Sequence, residues 1–523
     1  MAQPHKMNVQ YKKPIPIIDL FAGPGGLGEG FSSVTDSLGR PAFRIGLSIE
    51  KEPSAHKTLT LRAVFRQLRG TPALEKYFRY VRGEIDEASF RAIPEVAHAF
   101  DEASQEARRI ELGKDDPAEI DNSIREALRG EKNWLLIGGP PCQAYSLAGR
   151  SRRTKDETFA ADVKHFLYRE YLRIIRVHRP AVFVMENVKG LLTSKHSGEY
   201  MFGKILSDLE HVDTDVEYEI RSFVKHPDIA GLQGNDYVIK AEEHGIPQAR
   251  HRVILLGVRK DLNLAAHQLL EQVSAPFTVR DAIGDFPKIR SRLSVKGESL
   301  AQWRQAVSDA PNRLADWDDT EKAALEGRMR SVAKVAATAR ADSGALFVRA
   351  EKAGPSASES VRQWFVKDGP GGYLQHESRS HMASDLARYM FAATYVELKG
   401  ISPKLNRFPP GLMPEHENAK KLAGGESAPF MDRFRVQRAD RPSTTVVSHI
   451  AKDGHYYIHY DPTQCRSLTV REAARLQTFP DNYFFEGNRT EQYTQVGNAV
   501  PPMLAHKLAC IVEGLFRPLF ISK

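Results

Sequence analysis

The chain has 523 residues, 41% hydrophobic and 27% charged, a mixture that excludes disordered and fibrous classes. At about 150 residues per domain the length suits roughly three units, or one large α/β domain with a smaller companion. No apolar run approaches the ~18 to 20 residues that cross a bilayer. The N-terminal MAQPHKMNVQYKK has no hydrophobic signal segment, and three cysteines cannot form a disulfide framework in so long a chain, so a reduced, cytoplasmic setting is expected. The net charge of +8 permits a polyanionic partner without requiring one.

In chain order, Pro16–Phe21 reads as a short strand closed by glycines, and Ala42–Ile49 as a second strand ending at Glu50. Residues 60–132 are charged, rich in Ala, Arg and Glu, and helical in spacing, which suggests a helical insertion. Trp134–Ile137, Ala181–Met185 and Arg252–Val258 are further apolar runs, and Phe166–Val177 has helical spacing. Such alternation predicts an α/β fold, a doubly wound and mostly parallel sheet. From 263 to 434 strand signals thin out, turns accumulate, and Arg328, Arg330, Lys334, Arg340, Arg349 and Lys352 outnumber nearby acids. The α/β texture returns at 435. The expected organisation is a catalytic domain over 1–262 with the insertion at about 60–132, a smaller basic and irregular domain over 263–434, and a return segment over 435–523 that completes the first.

Several short motifs carry chemistry. Gly23, Gly25 and Gly28 form a G-x-G-x-x-G turn after the first strand, and Glu50 ends the next, where a carboxylate can accept from two ribose hydroxyls. By itself this serves NAD, FAD or S-adenosylmethionine alike; no Lys-Ser/Thr follows, so a P-loop is excluded. Gly138-Gly139-Pro140-Pro141-Cys142-Gln143-Ala144-Tyr145-Ser146 sets a cysteine at the carboxyl end of a strand, in a rigid turn where a nucleophilic thiol is plausible. Cys465 and Cys510 read as small buried hydrophobes. Glu186-Asn187-Val188 ends another core strand, and alternation sends Arg250 and Arg252 to one face at the entrance of the next. Arg471-Glu472-Ala473-Ala474-Arg475-Leu476-Gln477 reads as a helix with a charged face and a Glu472–Arg475 ion pair, and Gln495-Val496-Gly497-Asn498-Ala499-Val500 as a helix entry. His376 and His381 lack any accompanying ligand set and read as solvent-facing, so no metal is expected.

Taken together and in this order, these motifs resemble the DNA (cytosine-5)-methyltransferase family, over the whole chain apart from 60–132 and 263–434. The resemblance implies S-adenosylmethionine as cofactor, S-adenosylhomocysteine as product, double-stranded DNA as partner, and 263–434 as the target recognition domain. It implies Cys142 as nucleophile, with Glu186, Arg250 and Arg252 as the other catalytic residues. The cofactor is expected on Phe21, Ala22, Gly23, Gly25, Gly26, Glu50, Glu84, Pro140, Leu167, Asn187, Asn498 and Val500. Glu84 lies farther after the second strand than the family's third acidic motif does. Gln143, Ser146, Arg328, Arg330 and Lys334 are the expected DNA contacts. The family setting is a prokaryotic, nucleoid-associated monomer acting beside a cognate restriction or phage-defence system. An NAD-linked oxidoreductase would have no use for Cys142, Glu186 and the Gln248-x-Arg250-x-Arg252 run together, and a catalytically dead relative would be expected to lack one of them.

Overall fold

Alternation of apolar side chains along each strand divides the core into two layers, one on each face of a central sheet. Ile15, Ile17, Phe43, Ile45, Leu135, Ile137, Val182, Val184, Ile254 and Leu256 lie in one layer. Ile18, Leu20, Leu47, Ile49, Leu136, Phe183, Met185, Val253 and Leu255 lie in the other. Strands buried on both faces need helices on both faces, which is the doubly wound arrangement. The computed structural model describes residues 13–141, 157–196, 199–226, 231–339, 342–350, 359–415 and 431–520.

The sheet strands are β1 (Ile15–Leu20), β2 (Phe43–Ile49), β3 (Ala107–Arg108), β4 (Leu135–Gly138), β5 (Val182–Val188), β6 (His211–Asp213), β7 (Val216–Ser222), β8 (Val238–Lys240) and β9 (His251–Arg259). Their order is β3-β2-β1-β4-β5-β9-β7-β6, with β8 paired to β9. The half from β3 to β5 is parallel, while β9 runs antiparallel to both β5 and β7. Residues 60–132 are largely helical, but β3 lies among them as the sheet edge, and the helix Pro117–Leu128 packs Ile120, Ile124 and Leu128 onto the sheet. A two-residue strand is too short for any periodic signal.

Helix α1 (Gly26–Ser32) follows β1, α2 (Pro53–Leu68) follows β2, and α3 (Glu157–His178) precedes β5. The return segment supplies α4 (Val470–Leu476), α5 (Arg489–Asn498) and α6 (Pro502–Phe520). Helix α6 contributes Leu504, Leu508, Val512 and Phe516 to the first layer, so the chain's end completes the core begun by its start. Contact with α1 is close: a Cβ on Gly26 would lie 2.2 Å from the Val500 carbonyl oxygen, a position only glycine can occupy. The helical stretch Arg489–Phe520 is long and apolar enough on average to cross a membrane, which the residue count had not suggested, and 72% of its apolar window is buried inside the protein.

Helix α4 corrects the reading of REAARLQ as a helix with a charged face, because all seven of its residues are buried. Glu472 and Arg475 do not pair with each other. The Thr469 cap turns Glu472 back toward Thr469 N–H (2.8 Å) and the Arg466 guanidinium (2.6 Å to each carboxylate oxygen), while Arg475 reaches forward to Asp481, also with two bonds of 2.6 Å. Arg471 donates to the carbonyls of Leu374, Pro480 and Tyr483. Burial without a carboxylate partner pulls its pKa down to about 10, still cationic at neutral pH.

Between β9 and α4, a separate core of Trp303, Val307, Leu325, Met329, Leu386, Met390 and Phe391 joins the helices Leu300–Asp309, Lys322–Thr338 and Ala383–Lys399. The paired strands Gly344–Arg349 and Gly372–Glu377 set Phe347 and Leu374 against Phe65, Phe78 and Phe90 of the 60–132 helices. His376 and His381 are buried and do not face solvent: His376 touches Thr469 Oγ1 and the Pro287 carbonyl, and His381 touches Tyr389 and Ser467. Their spacing on a hairpin edge gave no sign of the layers that cover them. Cys465 is buried as expected, but Cys510 is exposed on α6, with Sγ 3.7 Å from His506 Nε2.

These buried histidines should make the fold acid-labile. Burial lowers His376 to about 4, and His381 and His459 to about 3, against about 6.5 in the unfolded chain. The folded pKa is depressed, so the contribution is present above pH 6.5. As pH falls from 6.5 toward 4 the unfolded chain gains protons the folded chain refuses, and stability drops by up to ~1.4 kcal/mol per pH unit for each histidine. Glu472 acts in the same sense below its ordinary range: burial alone would raise its pKa, but Arg466 overrides burial and holds it low. Thermal denaturation should show a falling midpoint between pH 6.5 and 4.5; a flat profile would refute this.

Candidate active site

The carboxyl ends of β1, β2, β4 and β5 converge on one crevice, the usual ligand position in such sheets. After β1 the backbone is strained, with φ of 57° at Phe21, 58° at Gly23 and 92° at Gly25. A left-handed Phe21 is costly for a side-chain-bearing residue and fits a position where geometry matters more than stability. Glu50 at the end of β2 accepts from Gly23 N–H and Glu52 N–H, each at 2.8 Å, so its carboxylate is aimed while keeping free lone pairs. Ala22 N–H donates to the Ile49 carbonyl at 3.1 Å. Phe21 and Leu167 are half-buried at the margin of the second core layer, together with Ile110 just past β3. Beneath them Asp19 is buried with neither carboxylate oxygen hydrogen-bonded, and burial, then Glu50, push its pKa well up.

The other side of the crevice is built from β4, β5 and β9. Asn187 Nδ2 donates to the Pro140 carbonyl at 3.1 Å, which ties the end of β5 to the Gly-Gly-Pro-Pro turn. A Cβ on Gly139 would sit 3.0 Å from Glu186 Oε2, so that carboxylate lies directly against the turn leading to Cys142. Cys142, Gln143 and Ser146 themselves fall outside the described residues. Arg252 crosses from β9 to pair with Glu186, Nε to Oε1 at 2.8 Å. Arg250 is buried behind them and donates to the carbonyls of Val446 (2.9 Å) and Gly497 (3.4 Å). Burial, then the neighbouring Arg252, hold its pKa well below the usual guanidinium range.

Gln248 explains the rest of the Gln-x-Arg-x-Arg run. Its side chain donates to the Leu476 carbonyl and Gln477 Oε1 and accepts from Val446 N–H, so it bolts β9 to the return segment. Gly26 and Val500 meet where α1 approaches α6, and Asn498 is exposed at the end of α5. Glu84 is not brought to the crevice; it is ion-paired to Arg82 (2.7 Å) and Arg79 (3.6 Å). Arg328 and Arg330 are engaged by Glu397 and Glu326, while Lys334 is exposed without an ion pair among the described residues.

The whole chain superposes on the crystal structure of a prophage-encoded E. coli protein described as a DNA modification methyltransferase. The TM-score is 0.54 at 18% identity, covering 97% of this chain and 99% of that one, which is a likeness of fold. Fold and crevice together define a doubly wound α/β protein with its ligand site at the strand ends. The family model for C-5 cytosine-specific DNA methylase matches residues 108–512. The chain is 33% identical over 519 residues to Type II methyltransferase M.Bpa9945I of Bacillus paralicheniformis, covering 95% of this chain and 98% of that one. It is 27% identical over 512 residues to Type II methyltransferase M.AgeI of Thalassovita gelatinovora, covering 94% and 97%. The chain belongs to the C-5 cytosine-specific DNA methylase family.

Proposed function

We propose that this chain transfers a methyl group from S-adenosylmethionine to carbon 5 of a cytosine flipped out of duplex DNA, through a covalent adduct with Cys142. The observation that carries this reading is the Arg252–Glu186 pair lying against the turn that leads to Cys142, next to the glycine turn and Glu50. The residues suit the cofactor: Glu50 offers lone pairs to a ribose, Phe21 and Leu167 leave apolar surface for a purine, and Asn187 and Pro140 close the side. When bound, S-adenosylmethionine supplies a methyl group made electrophilic by its sulfonium.

The chain's own residues do the rest. The Cys142 thiolate adds to ring carbon 6, and the displaced electron pair makes carbon 5 nucleophilic. Negative charge that builds on nitrogen 3 is relieved by a proton that Glu186 carries and shares with it, and Arg252 donates to the ring carbonyl; aimed donors of this kind contribute about 3 to 4 kcal/mol each. Arg250 acts from behind, as a buried cation that favours the thiolate. After methylation the carbon 5 proton leaves and the cysteine is eliminated, which restores the ring. The target carbon is inaccessible in a stacked duplex, so the base must be extruded. Residues 263–434 are the proposed target recognition domain, with the enzyme acting as a cytoplasmic monomer. Relatives named as type II methyltransferases support a role beside a cognate restriction nuclease, with phage defence as its consequence.

Incubating the purified chain with labelled cofactor and either duplex DNA or tRNA, followed by bisulfite sequencing, tests the reading. Label in DNA at bisulfite-resistant cytosines is expected; label confined to tRNA would overturn it. Glu50→Ala should weaken cofactor binding by about 10- to 100-fold, the loss of charge-assisted hydrogen bonds, with DNA affinity unchanged. Calorimetric titration showing equal cofactor affinity would remove Glu50 from the site.

A further inference from the structure

A cavity of about 210 Å³ opens where the strand pair Arg292–Leu293 and Ser380–His381 meets the loop that carries Lys452. Arg379, Ser380, Met382, Asp385, Lys452 and Asp453 line it. Both carboxylates are committed, Asp385 to Arg388 at 2.7 Å and Asp453 to Arg433 at 3.0 Å. Arg379 and Lys452 line this space and pair with no carboxylate among the described residues. The Arg379 guanidinium is fixed 3.8 Å over the Tyr493 ring and donates to the Ile450 carbonyl, while its buried Nε has no hydrogen-bond partner. The floor is rigid, with Tyr389 Oη 2.8 Å from His455 Nδ1. At the rim Met382 is 57% exposed and, across the strand pair, Val295 53%.

The loop is tied to the catalytic strand. Val446, whose carbonyl accepts from Arg250 at 2.9 Å, is followed by the short helix Ser448–Ala451 and then by Lys452. A chain segment of this length spans at most about 20 Å, even fully extended. Lys452 therefore stands on a short tether from the strand that carries Arg250 and Arg252.

On this basis, and resting on the methyltransferase reading above, we infer that the pocket reads the DNA sequence: Lys452 and Arg379 donate to the major-groove edge of a guanine near the target cytosine. Guanine presents two acceptors there, O6 and N7, which suit donors that have no acceptor capacity of their own. Adenine and cytosine present an amino donor that would face a cation unfavourably. Met382 and Val295 form an apolar lip against the neighbouring base edge. The readout therefore extends past residue 434 into the return segment. It does not use Arg328 or Arg330, whose charges are already matched.

The test is bisulfite sequencing of a duplex library with randomised sequence around a cytosine, treated with the full chain and with Lys452→Met and Met382→Ala, both at exposed positions. Lys452→Met should lose the preference for guanine at one position by about 5- to 100-fold while preferences elsewhere persist. Met382→Ala should soften the adjacent position. A uniform loss of affinity across sequences, with the salt slope reduced by about one, would mark a phosphate contact and overturn the inference. An unchanged sequence profile beside an active wild type overturns it too, and leaves the enzymatic reading standing. A wild type that methylates no DNA would overturn the enzymatic reading and this one with it.

Discussion

Cys142→Ser is expected to abolish methyl transfer, by about four orders of magnitude or more, while leaving fold and DNA affinity intact. The reaction needs an anionic, polarisable nucleophile that can add to carbon 6 and later leave. A thiol with an ordinary pKa near 8.5 already ionises to a few per cent at neutral pH. A serine hydroxyl stays protonated, and Glu186 is engaged by Arg252. Two measurements check this: single-turnover methylation, and covalent trapping on DNA carrying 5-fluorocytosine. Fluorine at carbon 5 cannot leave as a proton does, so the adduct should persist with the wild type and be absent from the variant. Undiminished turnover by Cys142→Ser would sink the covalent mechanism.

Arg475→Ala should be the most damaging change outside the crevice, costing about 3 to 5 kcal/mol of folding stability. Arg475 is buried, makes two bonds of 2.6 Å to Asp481, lies 3.3 Å from Asp285, and sits over the rings of Phe365 and Phe286. Removing it leaves Asp481 buried without its cation. It also unties Asp285, near the start of the 263–434 segment, from the return segment. The contrast is Arg328→Ala, which breaks an ion pair at 2.9 Å between partners 46% and 34% exposed and should change stability by under about 1 kcal/mol. Urea denaturation of both variants measures the difference, and equal midpoints would contradict the view of α4 as a buried hub.

Neighbours along the chain were enough to place much of this protein. Short, largely continuous apolar runs in Ile15–Leu20, Phe43–Ile49 and Val182–Met185 mark strands buried on both faces, and turn residues locate Gly23, Gly25, Glu50, Glu186 and Arg252 at strand ends. These features depend on local backbone preference and side-chain alternation, which a sequence displays directly. Partners were not legible. Glu472 and Arg475 stand at a spacing that suits each other, yet they bond Arg466 and Asp481. His376 and His381 look like surface residues until the layers around Thr469 and Tyr389 enclose them. Arg328 and Arg330 look like free cations and are matched by Glu397 and Glu326, whereas Arg379 and Lys452, unremarked in the sequence, meet no carboxylate among the described residues where they line a pocket. Which charge meets which is decided by contacts between residues far apart in the chain, and spacing carries no record of those contacts. Local apolar runs and turn residues therefore determined the sheet and the chemistry at its strand ends, and only the tertiary packing decided which charges are buried and which are matched.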